Sequence, residues 1–209
     1  MLSYFNYLSI SLYILAYLFG SINSAIIICQ IMGLPSPRDT GSGNPGATNV
    51  LRSGGSAGKK AAALTLLFDI LKGLVIVLIA RLFLHQGPIV LSLIGLFSII
   101  GHIFPLFFKF KGGKGVATMI GALLAISPIL GGCFIWIWLF MLAFMRISSL
   151  SALTACVGVV IISYFTEPKL VSLIILIMAL LVIFRHHENI KRLIKGQEKK
   201  IGKKNQNKS

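Results

Sequence analysis

Three polar segments interrupt an otherwise apolar chain, and each carries residue types suited to gripping phosphate or moving a proton. The first, SPRDTGSGNPGATNVLR at 36–52, is rich in Gly, Ser, Thr and Asn and is flanked by Arg38 and Arg52. Small residues leave backbone N–H groups open to form an anion-binding nest, and an arginine fork can hold two phosphate oxygens at once. Gly41, Gly43 and Gly46 match G-x-G-x-x-G, but a dinucleotide fingerprint needs a strand before it and a helix after it. An apolar helix and a proline-bearing loop precede it here, which excludes that reading. A plain surface loop fits the composition equally well.

The second segment, GHIFPLFFKFKGGKGVAT at 101–118, brackets Gly112, Gly113 and Gly115 with Lys109, Lys111 and Lys114. It is not a Walker A motif, which would need Gly at Phe108 and Ser or Thr at Gly115. Its physics is similar nonetheless. Glycines let backbone amides approach an oxyanion, the start of the next helix adds partial positive charge, and Lys114 adds a full one. A basic turn that merely sets topology is the simpler alternative, and His102 reads more readily as a structural histidine than as a catalyst. The third segment, RHHENIKRLIKGQEK at 185–199, puts His186, Glu188 and Asn189 at the end of an apolar run, where a lipid ester would be made or broken. Histidine titrates near neutral pH and is a common general base. The alternative there is a basic stop-transfer helix.

The elements that must position these residues are membrane helices. Hydrophobic residues make up 56% of the 209 and charged ones 12%, with a mean hydropathy of +0.89, far from soluble usage. The formal charge is +15 with only five acids, so the basic residues report topology. Apolar runs fall at 8–31, 61–80, 88–108, 116–127, 129–145, 150–166 and 168–184. Placing the N-terminus outside with seven spans gathers Arg38, Arg52, Lys59, Lys60, Lys109, Lys111, Lys114, Arg146 and the tail on one, cytoplasmic, side. Only Arg81, Lys169 and Glu167 fall on the other. Treating 116–145 as one span would put Arg146 and the tail outside. The expectation is therefore an all-α, seven-helix polytopic protein, broken near Pro128, with one helix-bundle domain over 1–190 and a basic cytoplasmic tail over 191–209. The stretch from Arg185 onward should begin as a basic amphipathic helix and end in about ten residues too charged to pack.

Asp69 and Lys72, one turn apart inside an apolar run, are expected to pair with each other. Cys29, Cys133 and Cys156 suggest neither disulfide nor zinc spacing, and no metal-ligand cluster is visible. The Phe-rich 104–110 stretch, Trp136 and Trp138 are expected to pack helices or meet lipid.

Taken together, GSINSA at 20–25, GSGNPGATNVLR at 41–52, GHIFPLFFKFKGGKGVAT at 101–118 and RHHENIKRLIKGQE at 185–198 resemble the bacterial acyl-phosphate-dependent glycerol-3-phosphate acyltransferase family, over nearly the full length and in order. The resemblance implies a multi-pass inner-membrane enzyme with its site facing the cytoplasm. Its reaction would use acyl phosphate and glycerol 3-phosphate to give 1-acyl-glycerol 3-phosphate and phosphate, the first acylation of phospholipid synthesis. It also implies contact with membrane lipid, a working link to an enzyme that makes acyl phosphate, and no metal, cofactor or nucleic acid. By the same carry-over, His186, Asn189 and Ser42 are catalytic, while Thr48, Arg52, Gly112, Gly113, Lys114, Gly115, Ser149 and Arg38 bind substrate phosphate. The chain departs from many relatives at LPSPRD, where they carry an acid before Arg38. The proton acceptor is His186 or a substrate phosphate.

A transporter of an organic phosphate anion would also show basic glycine-rich loops, but it would place polar groups near the bilayer midplane rather than at one face. A thioester-dependent acyltransferase with a His-x4-Asp dyad is excluded, because Phe107 stands five residues after His102 and neither His186 nor His187 has an aspartate downstream.

Overall fold

The computed structural model describes residues 3–53 and 55–201, and among them only helices and loops occur. The predicted 8–31 run is two helices, α1 (Tyr7–Gly20) and α2 (Ser24–Ile31). Ser21 ends the first by donating its amide to the Tyr17 carbonyl at 2.9 Å, with its hydroxyl on the same oxygen at 2.8 Å. Asn23 starts the second by accepting the Ile26 amide at 3.2 Å, the ordinary work of an N-cap. A short helix α3 (Ala47–Ser53) follows the first polar loop, and α4 (Gly58–Leu82) and α5 (Pro88–Ile103) come next. The remaining helices are α6 (Val116–Ile126), α7 (Pro128–Met145), α8 (Ser148–Thr166), α9 (Lys169–Phe184) and α10 (His187–Ile194). The break between α6 and α7 falls at Ser127, beside the proline that the sequence points to.

Among the described residues, five segments are long and apolar enough to cross a membrane: Tyr7–Ile31, Gly58–Leu82, Pro88–Phe108, Pro128–Met145 and Ser148–Thr166. A sixth is added if α9 and α10, bent by 63°, count as one. Helix α6 has 11 residues and is about 16 Å long, against roughly 30 Å of hydrocarbon. Its far end is completed by Arg81 of α4, whose guanidinium donates to the Ala125 carbonyl at 2.9 Å.

In lipid there is little hydrophobic drive between helices, so contact depends on close backbone approach. Two reciprocal glycine pairs provide it. A side chain at Gly20 of α1 would strike the Ser98 carbonyl of α5, and one at Gly101 would strike the Tyr17 carbonyl. Likewise Gly73 of α4 lies on the Thr118 carbonyl and Gly121 of α6 on the Ile70 carbonyl. Ile94, Ile99, Met119, Leu123 and Met178 fill the space between these crossings, while Trp136, Tyr164, Phe165 and Phe184 face outward. The expected Asp69–Lys72 pair forms, at 2.8 Å.

The basic loops meet at one end of the bundle. The Thr48 and Ser148 hydroxyls lie 3.4 Å apart, and the Ile201 amide donates to the Arg146 carbonyl at 2.7 Å. Helix α10 is the amphipathic start expected of the tail. The chain then folds back through residues 196–201 onto the bundle, and residues 202–209, most of the charged end, lie outside the described residues.

Candidate active site

The loop between α5 and α6 is built by backbone geometry. Lys109 and Phe110 both take left-handed conformations at φ 56° and turn the chain back toward the bundle. The Gly112 and Gly113 amides then donate to the Ile103 and His102 carbonyls at 3.1 and 3.2 Å. From the other side Arg185 donates to the Gly112 carbonyl at 3.0 Å and to that of Gly113 at 3.3 Å. These two glycines therefore do not hold their amides free for an anion, as their spacing suggests. They are small because no side chain fits: at Gly112 it would strike the His102 carbonyl, and at Gly113 the His102 ring. Gly115, at φ +86°, makes the left-handed turn into α6 that few other residues tolerate. The amides of that first helical turn, with the positive end of the helix, stand next to Lys114.

Lys114 begins a network that spans the chain. Its ammonium donates to Asn189 Oδ1 at 2.5 Å, and Asn189 Nδ2 donates to Glu198 Oε1 at 2.6 Å. The same carboxylate accepts the Ser149 hydroxyl at 2.9 Å and Arg192 Nε at 2.6 Å. Arg52 reaches the rim and donates to the Lys199 carbonyl at 3.1 Å. Burial pushes the Lys114 ammonium down to about 8; Glu198 opposes that, while Arg192, Arg185 and Arg52 add to it. Burial alone would raise Glu198, but hydrogen bonds from Arg192, Asn189 and Ser149 outweigh it and hold the carboxyl below its usual range.

His186 sits where α9 bends into α10, 3% exposed. Its Nδ1 lies 2.7 Å from the Val182 carbonyl, which can only accept. That nitrogen must carry the proton and Nε2 the lone pair. Burial, more than the nearby Lys114, pushes the ring down to about 4, so it is neutral at pH 7.

The predicted residues thus divide. Lys114, Asn189 and Ser149 share one network, with Arg52 at its edge. Thr48 meets Ser148 beside it. Ser42 is exposed, and its amide donates to Asn49 Oδ1 at 2.9 Å. Arg38 departs from the expectation of a phosphate ligand: it donates to the Phe108 carbonyl at 2.9 Å and to the Lys111 carbonyl, fastening the first loop to the second. Glu188 faces outward and pairs with Lys191 at 2.9 Å, away from His186. The sequence reading passed over Glu198, Arg192, Arg185 and Asn49. Asn49 holds the first loop in shape through the Pro37 and Thr40 carbonyls at 2.8 and 3.0 Å. Its signal was an uncharged polar residue in a helix, next to Thr48 and one turn before Arg52.

A membrane helix bundle that collects cations, a helix N-terminus and a neutral imidazole at one end has chemistry suited to phosphate groups. Residues 10–196 match the family model described as glycerol-3-phosphate acyltransferase. Glycerol-3-phosphate acyltransferase of Francisella tularensis subsp. novicida (strain U112) is 54% identical over 199 residues, covering 95% of this chain and 96% of that protein. The enzyme of Francisella philomiragia subsp. philomiragia is 52% identical over the same shares. Crystal structures of PlsY (YgiH), an integral membrane glycerol 3-phosphate acyltransferase, superpose closely. Its glycerol 3-phosphate form gives a TM-score of 0.86 at 39% identity, covering 93% of this chain and 96% of that one. Its lysophosphatidic acid form gives 0.84 at 38%, covering 93% and 95%. The chain belongs to the glycerol-3-phosphate acyltransferase family, and is an integral membrane acyltransferase of phospholipid synthesis.

Proposed function

We propose that this enzyme takes its acyl group from acyl phosphate and transfers it to glycerol 3-phosphate, releasing 1-acyl-glycerol 3-phosphate and inorganic phosphate. The observation that carries this reading is the surplus of cations around Glu198. Lys114, Arg192 and Arg52 all act on one carboxylate, which leaves positive charge for an incoming phosphate. Both substrates of the proposed reaction carry that group, whereas nothing in the network is specialised for a thioester.

An acyl phosphate is already an activated mixed anhydride, so positioning and charge neutralisation supply most of the catalysis. The acceptor hydroxyl attacks the carbonyl carbon, the C–O bond to phosphate breaks, and phosphate leaves with the bonding pair. Lys114, the α6 N-terminus, Arg52, Thr48 and Ser149 hold phosphate oxygens; Gly112, Gly113 and Gly115 shape the loop that presents Lys114. Asn189 and Ser42 orient the reacting groups. His186 Nε2 accepts a hydrogen bond from the acceptor hydroxyl. With its ring pushed down to about 4, the better final proton acceptor is the departing phosphate, which takes the hydroxyl proton as its C–O bond breaks and leaves as hydrogen phosphate.

In this reading the seven apolar runs are seven passes, with α6 and α9 as short members, the N-terminus outside and the site facing the cytoplasm from the inner membrane. An acyl-phosphate-producing enzyme would supply the donor. The test is phosphate release by purified protein given acyl phosphate with and without glycerol 3-phosphate, with acyl-coenzyme A as a parallel donor. Acceptor-dependent phosphate release with lysophosphatidate formed supports the proposal; turnover with acyl-coenzyme A alone overturns the donor. Anion uptake into vesicles without turnover would make the protein a transporter.

A further inference from the structure

The phosphate loop does not rest on an apolar floor. Beneath it lie Asp69, Lys72 and His102, respectively 3%, 5% and 6% exposed, on two different helices. One carboxylate oxygen, Asp69 Oδ1, takes Lys72 Nζ at 2.8 Å, the Ser24 hydroxyl at 2.5 Å and faces His102 Nδ1 at 3.5 Å. Lys72 also donates to the Ile22 carbonyl at 2.9 Å, in the break between α1 and α2, and its own carbonyl accepts the Ser98 hydroxyl of α5 at 3.2 Å. The cluster thus ties α2, α4 and α5 together at one point.

His102 carries that point to the loop in two ways. Its carbonyl accepts the Gly113 amide, and its ring lies so close under Gly113 that an added methyl would strike Nε2 and come within 2.9 Å of Cε1. Because Nδ1 faces Asp69, the opposite edge of the ring faces Gly113, and the next residue is Lys114. A pair needed only for stability could be replaced by apolar side chains at little cost. A charge cluster within the apolar helices, aimed at the floor of a phosphate loop, has a use beyond mutual neutralisation.

We infer that Asp69, Lys72 and His102 are positioning residues for the reaction: the ion pair orients the His102 ring, and the ring sets where the Gly112–Gly113 backbone, and with it Lys114, meets substrate phosphate. The inference rests on the proposal that Lys114 holds substrate phosphate, and the experiment separates the two.

Steady-state kinetics are measured for both substrates in Lys114→Ala, His102→Gln and the charge-free double variant Asp69→Asn with Lys72→Met, alongside thermal unfolding in detergent. Lys114→Ala identifies which substrate's KM depends on the loop. His102→Gln is expected to raise that same KM about tenfold, with the other KM and kcat within about twofold and the unfolding temperature nearly kept. The double variant, which strands no buried charge, should do the same. Combining His102→Gln with Gly113→Ala should be less than additive, because both disturb one contact. Unchanged KM values in His102→Gln, with only a lower unfolding temperature in the double variant, would reduce the cluster to a structural pair. If Lys114→Ala itself leaves both KM values alone, the phosphate-site reading fails first. Should the double variant not fold, His102→Gln alone decides.

Discussion

Asp69 and Glu198 are the two carboxylates most shielded from water, and their surroundings differ in electrical balance. Asp69 meets one permanent cation, Lys72, along with the Ser24 hydroxyl and the His102 ring. Its neighbourhood is closed, with one charge answering one charge. Glu198 meets Arg192 directly and feels Lys114 as well as Arg52, while Asn189 and Ser149 take up its remaining hydrogen-bonding capacity. That neighbourhood is left cationic. The contrast teaches that burial of charge does not by itself mark a binding site; an imbalance among gathered charges does.

The largest expected effect tests the closed side. Asp69→Asn strands the Lys72 ammonium inside the bundle and should destabilise the fold by about 3–5 kcal/mol, the usual penalty for breaking a buried pair. Thermal unfolding in detergent measures it, and a variant as stable as the parent would break the comparison. Next, Lys114→Ala removes charge from the open side and should lower kcat/KM by about a hundredfold, as losing one preorganised oxyanion partner does, with insertion and unfolding temperature little changed. Glu198→Gln keeps the shape of the network and should cost about tenfold in kcat/KM, in the range of a lost charge-assisted bond, with far less loss of stability than Asp69→Asn. The pH profile sharpens the same point. Under the proposed function it is the protonated Lys114 that binds phosphate, so affinity should be full below about 8 and lost as pH rises through that value. The KM that Lys114 governs should climb about tenfold per pH unit beyond it, and Lys114→Arg should abolish that climb. The smallest effect is Glu188→Ala, which removes an exposed pair and should leave kcat and KM within about twofold.

Much of this architecture was legible in the residues because lipid imposes a blunt rule: apolar runs become helices and cations collect at their ends. The break at Ser127 followed from a proline, and the Asp69–Lys72 pair from spacing and cost. Ser21–Asn23 was harder, since a capping serine and asparagine inside an apolar run do not interrupt its hydropathy. At the site, Lys114, Asn189 and Ser149 come together in one network, whereas the Gly112 and Gly113 amides are taken up by backbone carbonyls. Sequence shows that Gly112 and Gly113 are small, and cannot show that His102 crowds them from below. Arg38 looked like a phosphate ligand because it stands beside glycines; its partners, the Phe108 and Lys111 carbonyls, are about seventy residues away and carry no side-chain signal. Glu198 was hidden for a related reason. A carboxylate in a lysine-rich tail reads as solvated until the chain is seen to fold back.

The shortness of α6 has a consequence for where chemistry can occur. Helices α4 and α6 run side by side, with Gly73 against Thr118 and Arg81 against Ala125, so the start of α6 is level with about Asp69. The first eleven residues of α4, Gly58 to Phe68, project roughly 16 Å beyond it at 1.5 Å per residue. Leu66, Leu67 and Phe68 are exposed near the same height, forming an apolar surface there. Under the proposed function, the start of α6 and Lys114 beside it are therefore set back along the bundle to the level of exposed apolar side chains, so that an acyl donor could present its carbonyl there while its chain lies along that surface.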